Sequence, residues 1–459
     1  MSTVRSFWNP RSGESPYWNR YLETMPREKL DAIHLKRINA LLRHAYDNSP
    51  FYRRKFQEAG ITPDDIRSLE DFKTKVPVTD KSDFIHLQEE NPHYGQTGAV
   101  PEEYIAHHCE TSGTTGIPLR IPYTMYDTER YGESWVYGWW AIGIRPSDSF
   151  YFAFNWGLFA GFWSAYWGAR RLGVKVFSGG GQTTEGHVRL IERLKPTVLL
   201  STPTYALYMA EVAKDMGIDP ASLSFKYTYH AGEPGPCALP AVRKQLDESW
   251  GAISCECYGV AELNSLTFGC PSREGVHLDE TNTFSWSRDP DTGKEVPEGQ
   301  IGENIVTTYV NNAQPLINYR THDLVERHFN CECGRTWGFL RGVVLGRSDF
   351  MITIRGTNVY QSAVEKILGD TPGVSSHYQM IITRVKGLDQ MRVQIEPVKD
   401  YPKDRYAELG QEVGKSIHQA LKVRLDTEIV EPSSLPRYEL KTKRIIDQRP
   451  KEIRRALDR

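Results

Sequence analysis

At 459 residues, with 39% hydrophobic and 25% charged side chains, the chain has the composition of a globular protein too long for one core, so a large and a small folding unit are expected. Fifty-six basic against fifty-eight acidic residues leave a formal net charge of -2, which argues against a global field for nucleic acid or an anionic membrane surface; any phosphate binding is local. Seven cysteines, an odd number spread over a long chain, disfavour an extracellular disulfide framework and favour metal or free thiols.

Residues 1–10 lack the continuous apolar core of a secretory signal, and a cytoplasmic protein is the expectation. Leu30, Ile33, Ile38, Leu41, Leu42 and Ala45 fall near helical spacing and predict an amphipathic helix over 28–46, closed by Asn48-Ser49-Pro50. The run from Phe152 to Ala169 mimics a membrane span, yet Asn155, Ser164 and three glycines interrupt it, and such aromatic, glycine-rich runs line pockets or core strands. From about 150 to 260, apolar runs at 174–177, 198–200 and 227–230 alternate with helical patterns at 185–194 and 204–214, which implies a parallel sheet with helices on its faces. A strand-rich stretch over 300–345 follows. Beyond Gly346 the pattern is a smaller one: a strand at 350–354, a helix near 361–369, a hairpin pair at 376–384 and 391–397, and a helix from about 404 to 424. The fold class is therefore α/β, with a large unit of helix-flanked sheets over 1–346 and a small α+β unit over 347–459. The Lys- and Arg-rich end, 435–459, reads by pattern alone as a solvated tail.

Glu110-Thr-Ser112-Gly113-Thr114-Thr115-Gly116-Ile117-Pro118 crowds hydroxyls and glycines into a loop that offers a polyphosphate both backbone amides and short side-chain donors. It lacks the Gly-Lys-Ser/Thr ending of the kinase-type phosphate loop, and on composition alone it also suits an ordinary turn. Cys270 and His277, together with Cys331 and Cys333 in a Cys-x-Cys-Gly-Arg knuckle, make a set suited to a closed, tetrahedral structural Zn2+ site. The plainer alternative is two reduced, buried cysteine clusters with His277 capping a strand. Cys255 and Cys257 alternate along a predicted strand and read as core.

The phosphate loop, Ala231-Gly-Glu-Pro-Gly235, Tyr258-Gly-Val-Ala-Glu262, Tyr319-Arg-Thr-His-Asp323 and Leu345-Gly-Arg-Ser-Asp-Phe350 occur in the order seen in the adenylate-forming superfamily of acyl-CoA synthetases, peptide-synthetase adenylation domains and luciferases, which the chain resembles along nearly its whole length. The segments 154–161, 199–213 and 355–362 look most like phenylacetate–CoA ligase and its aryl-CoA ligase relatives. The resemblance implies ATP with Mg2+ and coenzyme A as reactants, an aromatic or arylacetic carboxylic acid as substrate, and a homodimer as a common assembly. It places Gly232, Glu233 and Pro234 along the adenine and Tyr258 and Gly259 at the nucleotide, and it sets Asp323 on the ribose hydroxyls, Arg347 on ribose or phosphate and Glu262 on the magnesium. Lys441 would be the catalytic lysine, with Lys443 as competitor, because Leu440 stands where a glycine is usual. Asp349 matches a hinge about which the small unit rotates, exchanging Lys441 for a coenzyme A-binding loop at Arg355 and Gly356. Phe154, Trp156, Phe159 and Gly161 match the acyl pocket, whose aromatic walls suit a flat acid. Ile117 replaces the usual loop lysine, leaving Arg120 as the first cation after it. Two rival readings stand: transfer of the acyl group to an amine or a carrier-protein thiol, and a catalytically silent nucleotide-binding protein.

Overall fold

The computed structural model describes residues 15–111, 117–348, 352–354, 357–359, 361–385, 388–436 and 444–449. The expected opening helix runs Arg27–Asn48 and buries Leu30, His34, Ile38, Leu41, Leu42 and Ala45 along one side. Pro50 does more than end it: it is the first residue of a second helix, Pro50–Glu58, where the missing N–H would have had no partner anyway.

The alternating middle region folds as read. Five strands lie parallel in the order Lys175–Ser178, Ser149–Phe152, Val198–Ser201, Tyr227–His230, Ile253–Glu256. Helices Thr184–Leu194 and Pro203–Asp215 are among the connections. Val198–Ser201 is buried at every position, which is why its sequence is an apolar run without alternation. The segment that mimics a membrane span is split between the strand Ser149–Phe152 and the helix Ala160–Leu172, and among the described residues no helix is long and apolar enough to cross a membrane.

The strand-rich region forms a six-stranded antiparallel sheet in the order Thr267–Gly269, Gly275–Leu278, Phe339–Arg347, Tyr319–His328, Ile301–Thr308, Thr283–Arg288. After it, a second core gathers Ile354, Val359, Val364, Leu368, Met380, Ile382, Val393, Ile395, Leu409, Val413 and Ile417. It lies between a four-stranded sheet and the helices Gln361–Asp370 and Tyr406–Leu421. The tail is not wholly solvated, since Ile445–Asp447 pairs in parallel with Val374–Val385. This smaller body meets the larger through Lys399 Nζ on Asp215 at 3.1 Å, and Gly369 packs at Ala241.

The N-terminal segment is clamped to the end of the large sheet by a buried ion pair. Arg335 Nε donates to Glu23 Oε2 at 2.7 Å, with side chains 1% and 0% exposed, and Arg335 Nη2 donates to the Pro16 carbonyl at 2.8 Å. Burial pushes the Glu23 carboxyl up, and Arg335 opposes that shift. Removing the cation alone strands a buried carboxylate, so Arg335→Met is expected to cost about 3–5 kcal/mol in urea unfolding, and adding Glu23→Gln should return part of it. A loss below about 1 kcal/mol for the single variant would show that the pair does not hold this segment.

Candidate active site

Strand register builds the first part of the site. In the antiparallel pair Tyr319–His328 and Phe339–Arg347, Asp323 lies opposite Arg347. Arg347 Nη1 reaches Asp323 Oδ1 at 3.0 Å, while the Tyr258 hydroxyl donates to Asp323 Oδ2 at 2.6 Å. Burial and the adjacent Asp323 charge push the Tyr258 phenol well above its usual range, so it remains a donor. Asp323 is 4% exposed, whereas the Arg347 side chain is 37% exposed and faces outward from the pair. Gly259 opens a two-stranded hairpin in which a Cβ would meet the Asn264 carbonyl oxygen at 2.1 Å, so that position serves the close approach of the Tyr258–Glu262 segment to its own return strand.

The turn after Tyr227–His230 holds the second part. Gly232 has φ of +90°, a conformation that disfavours a side chain. Glu233 Oε2 accepts from Thr204 Oγ1 at 2.5 Å and from the Thr204 N–H at 3.3 Å, fastening the turn to the start of the neighbouring helix. Behind it lies Glu256, 1% exposed, whose Oε1 takes the N–H groups of Cys237 at 2.8 Å and Ala238 at 2.7 Å. Burial outweighs these donors and pushes its carboxyl up to about 8. Glu256 ends a strand at the same end of the sheet and is absent from the motif-based set, because nothing in the local sequence announces a buried carboxylate serving a turn about twenty residues away.

Glu262, 6% exposed, meets the ammonium of Lys81 at 2.9 Å. Lys81 begins the helix Lys81–Glu90, whose cap Asp80 takes His322 Nε2 at 2.7 Å. Tyr319 lies among these charges: burial, then Glu262 and Asp80, raise its phenol, and Arg347 opposes. Through Tyr319 and Arg347 the neighbourhoods of Glu262 and Asp323 join. The carboxylate oxygens of Glu262 are of the type a hard divalent ion such as Mg2+ takes, although Lys81 pairs with one of them here. Arg120, the first cation after the phosphate loop, sends Nη1 to the carbonyls of Gln88 and His93, both at 3.2 Å.

Along the aromatic run, Phe154 is buried and stacked between Phe162, at 4.1 Å, and Phe152, at 5.1 Å. Trp156 donates Nε1 to Ser178 Oγ at 2.5 Å and leans on Trp163 and Tyr166. Phe159 caps the helix Ala160–Leu172 and touches Phe162 edge-on; at Gly161 a Cβ would meet nothing within 4 Å.

The ligand atoms of Cys270, His277, Cys331 and Cys333 all lie within 4.8 Å of one another. The Cys270 and Cys331 sulfurs are 3.7 Å apart, close to the edge of about 3.8 Å for a tetrahedron with metal–sulfur bonds of about 2.3 Å. His277 Nδ1 faces the Trp337 carbonyl at 3.3 Å, a contact that directs the Nε2 lone pair to the Cys333 side, where the sulfur is 3.1 Å away. The donor set and its spacing fit a zinc ion. Cys255 and Cys257, at 0% and 4% exposure, are core.

Ser112, Gly113, Thr114, Thr115 and Gly116 of the phosphate loop lie outside the described residues, as do Asp349, Arg355, Gly356, Lys441 and Lys443. Pro234 and Gly235 are described, and at Gly235 a Cβ would meet Glu256 Oε2 at 2.4 Å, so glycine is required against that carboxylate.

A family profile described as AMP-binding enzyme matches residues 42–311, and one described as AMP-binding enzyme C-terminal domain matches 356–449. The phenylacetate–coenzyme A ligase of Thermus thermophilus is 36% identical over 452 residues, covering 93% of this chain and 98% of the relative. Among solved structures, 2-hydroxyisobutyryl-CoA ligase in the postadenylation state with 2-HIB-AMP superposes with a TM-score of 0.90 at 31% identity, covering 98% of this chain and 95% of the other. The same enzyme with 2-HIB-AMP and CoA in the thioesterification state, over the same coverage, gives 0.73.

The position of Glu256 leads to a pH effect. Its folded pKa, about 8, lies above the usual 4.5, so the folded state holds the proton more tightly. The stability this group contributes is complete below about pH 4.5 and is lost as pH rises through about 8. Glu256→Gln, which does not titrate, should flatten that decline in urea midpoints measured between about pH 5 and 8. An unchanged slope in the variant would assign the pH dependence elsewhere.

Proposed function

This chain belongs to the AMP-binding enzyme family, in its phenylacetate–CoA ligase branch, and from that membership we propose that the acid it joins to coenzyme A is an aryl or arylacetic one. As in the branch, ligation is ATP-dependent and passes through an acyl-adenylate, with AMP and pyrophosphate released. The observation that carries the site assignment is the convergence of Tyr258, Asp323 and Arg347, with Glu262 joined to them through Tyr319.

Attack of a carboxylate on the α-phosphate brings anion to anion, so the protein must neutralise charge and align the reacting oxygens. Asp323 presents two acceptor oxygens to the ribose diol, with Tyr258 and Arg347 fixing its orientation. Gly232, Glu233 and Pro234 form the adenine wall, fastened by Thr204 and by Glu256 behind. Glu262 would hold the magnesium, which would supply charge neutralisation at the phosphates, and Lys81, paired with Glu262, adds a cation beside that carboxylate. Ser112 to Gly116 cradle the phosphates and Lys441 supplies the cation to the forming mixed anhydride. In the second half-reaction the small unit, 347–459, turns about Asp349 and brings Arg355 and Gly356 to the thiol, which attacks the acyl carbonyl and expels AMP. The higher superposition on the postadenylation state than on the thioesterification state, 0.90 against 0.73, supports a reading in which the present arrangement precedes that turn.

Phe154, Trp156 and Phe159 support an aromatic acid, while a hydroxylated aliphatic one is the substrate class of the relative that superposes well. Coenzyme A-dependent AMP release across phenylacetate, benzoate and 2-hydroxyisobutyrate decides between them. The expected result is a kcat/KM at least about tenfold higher for an aryl acid, roughly the discrimination available from one well-filled apolar pocket. Preference for 2-hydroxyisobutyrate would overturn the assignment. Lys441→Ala should cut acid-dependent exchange of pyrophosphate into ATP by about 100-fold while thioester formation from preformed acyl-adenylate persists; equal loss in both would contradict the role.

Cys270, His277, Cys331 and Cys333 are proposed to hold one structural zinc per chain, remote from the chemistry and adjoining the Glu23–Arg335 clamp. Four protein ligands would leave such an ion no open position for substrate. Metal analysis of purified protein should find about one zinc per chain, and Cys331→Ser should lose it and melt at lower temperature. Metal-free protein with an unchanged melting point would remove zinc from the structure.

A further inference from the structure

Arg444 stands three residues beyond Lys441 and immediately before the strand Ile445–Asp447, which joins the small sheet by pairing Met380 with Ile445. Its guanidinium lies 4.2 Å from the Tyr378 ring centroid, its Nη1 donates to the Ser376 carbonyl at 2.9 Å, and its Nε is 3.7 Å from Glu365 Oε1. Its own carbonyl accepts the Met380 N–H at 2.7 Å. Tyr378 donates its hydroxyl to Glu365, which also takes Gln361 Nε2 at 2.8 Å. The side chains of Arg444 and Glu365 are 10% and 5% exposed. Burial works against the Arg444 charge, yet Tyr378, Glu365 and Glu233 outweigh it, so the charge of the adenine turn on the large unit is felt at this clamp.

A three-residue strand at a sheet edge gives little core of its own, and Ile445, Ile446 and Asp447 are only half-buried. A planar cation stacked on a ring, bonded to a carbonyl and facing a carboxylate is far more than such a strand needs for attachment, and only arginine satisfies all three at once. What the clamp does fix is the point at which the chain leaves the lysine-bearing segment.

We propose that Arg444, held by Tyr378, Glu365 and Ser376, is a positioning residue for adenylation: it sets the root of the segment carrying Lys441 without touching substrate. This rests on the reading of Lys441 as the adenylating lysine. The residues assigned to the thioester half-reaction, Arg355 and Gly356, belong to a stretch of sequence far from Lys441, so on that reading the thioester half-reaction does not depend on Arg444.

Arg444→Lys keeps the charge and loses the stacked fork; Tyr378→Phe keeps the ring and loses the hydroxyl to Glu365. In the full-length enzyme, Arg444→Lys is expected to lower the maximal rate of acid-dependent pyrophosphate–ATP exchange by about 100-fold, the scale of a misplacement of about 1 Å, with KM for ATP within about twofold. Tyr378→Phe should lower it several-fold, and both variants should convert preformed acyl-adenylate and coenzyme A to thioester at nearly the parent rate. Exchange within about twofold of the parent in Arg444→Lys, while Lys441→Ala cuts it by about 100-fold, overturns the proposal and leaves the lysine reading intact. Parallel loss of both half-reactions also overturns it, since a general loss of folding moves them together; if Arg444→Lys does not fold, the same two readings on Tyr378→Phe decide. Normal exchange in Lys441→Ala would instead refute the lysine reading itself.

Discussion

The pairing register of two antiparallel strands is the constraint from which the candidate site follows. With Asp323 opposite Arg347, a buried carboxylate gains a guanidinium across the ladder, and the Tyr258 hydroxyl closes on its other oxygen. A slip of one residue would turn Asp323 to the opposite face of the sheet and break both contacts. Tyr258 can arrive only because Gly259 lets its hairpin close against the Asn264 carbonyl. Glu262, at the end of that same segment, is thereby carried to Lys81 and Tyr319. One register and one glycine thus bring together groups contributed by four separate stretches of chain.

Charge is handled differently at the two ends of the large unit. Around the candidate site, acidic groups are paired with cations that are partly exposed, as Lys81 and Arg347 are, so those cations can be reached from solvent. At the far end Glu23 and Arg335 are buried together beside the cysteine knuckle, an arrangement that secures the N-terminal segment. The first arrangement suits binding and release, the second permanence.

Much of the fold was legible beforehand because its signals are local. Fully buried parallel strands such as Val198–Ser201 must be apolar at every position, and helices such as Thr184–Leu194 must repeat their apolar residues every three to four, so both show in the sequence. Pro50 reads in the sequence only as the end of the first helix, yet a proline starts a helix as well as it breaks one, and here the next helix begins on it. The strand Ile445–Asp447 was missed because three residues in a basic stretch carry no periodicity, and only Val374–Val385 beside it makes them a strand. Lys81 and Glu256 belong to no motif, and Arg444, at the end of the lysine-bearing segment, carries no sign there of its partners; each acts on a partner remote in the chain.

By itself the sequence determined the family, the α/β class, the order of the elements and the residue types that the chemistry calls for, since motifs, periodicity and composition are properties of neighbouring residues. Only the tertiary structure decided which cation meets Glu262, what holds Asp323, that Arg120 is spent on backbone carbonyls, and that four scattered ligands converge within 4.8 Å. Those outcomes depend on distances between segments far apart in the chain, and such distances exist only once the core has packed and the strand register is set.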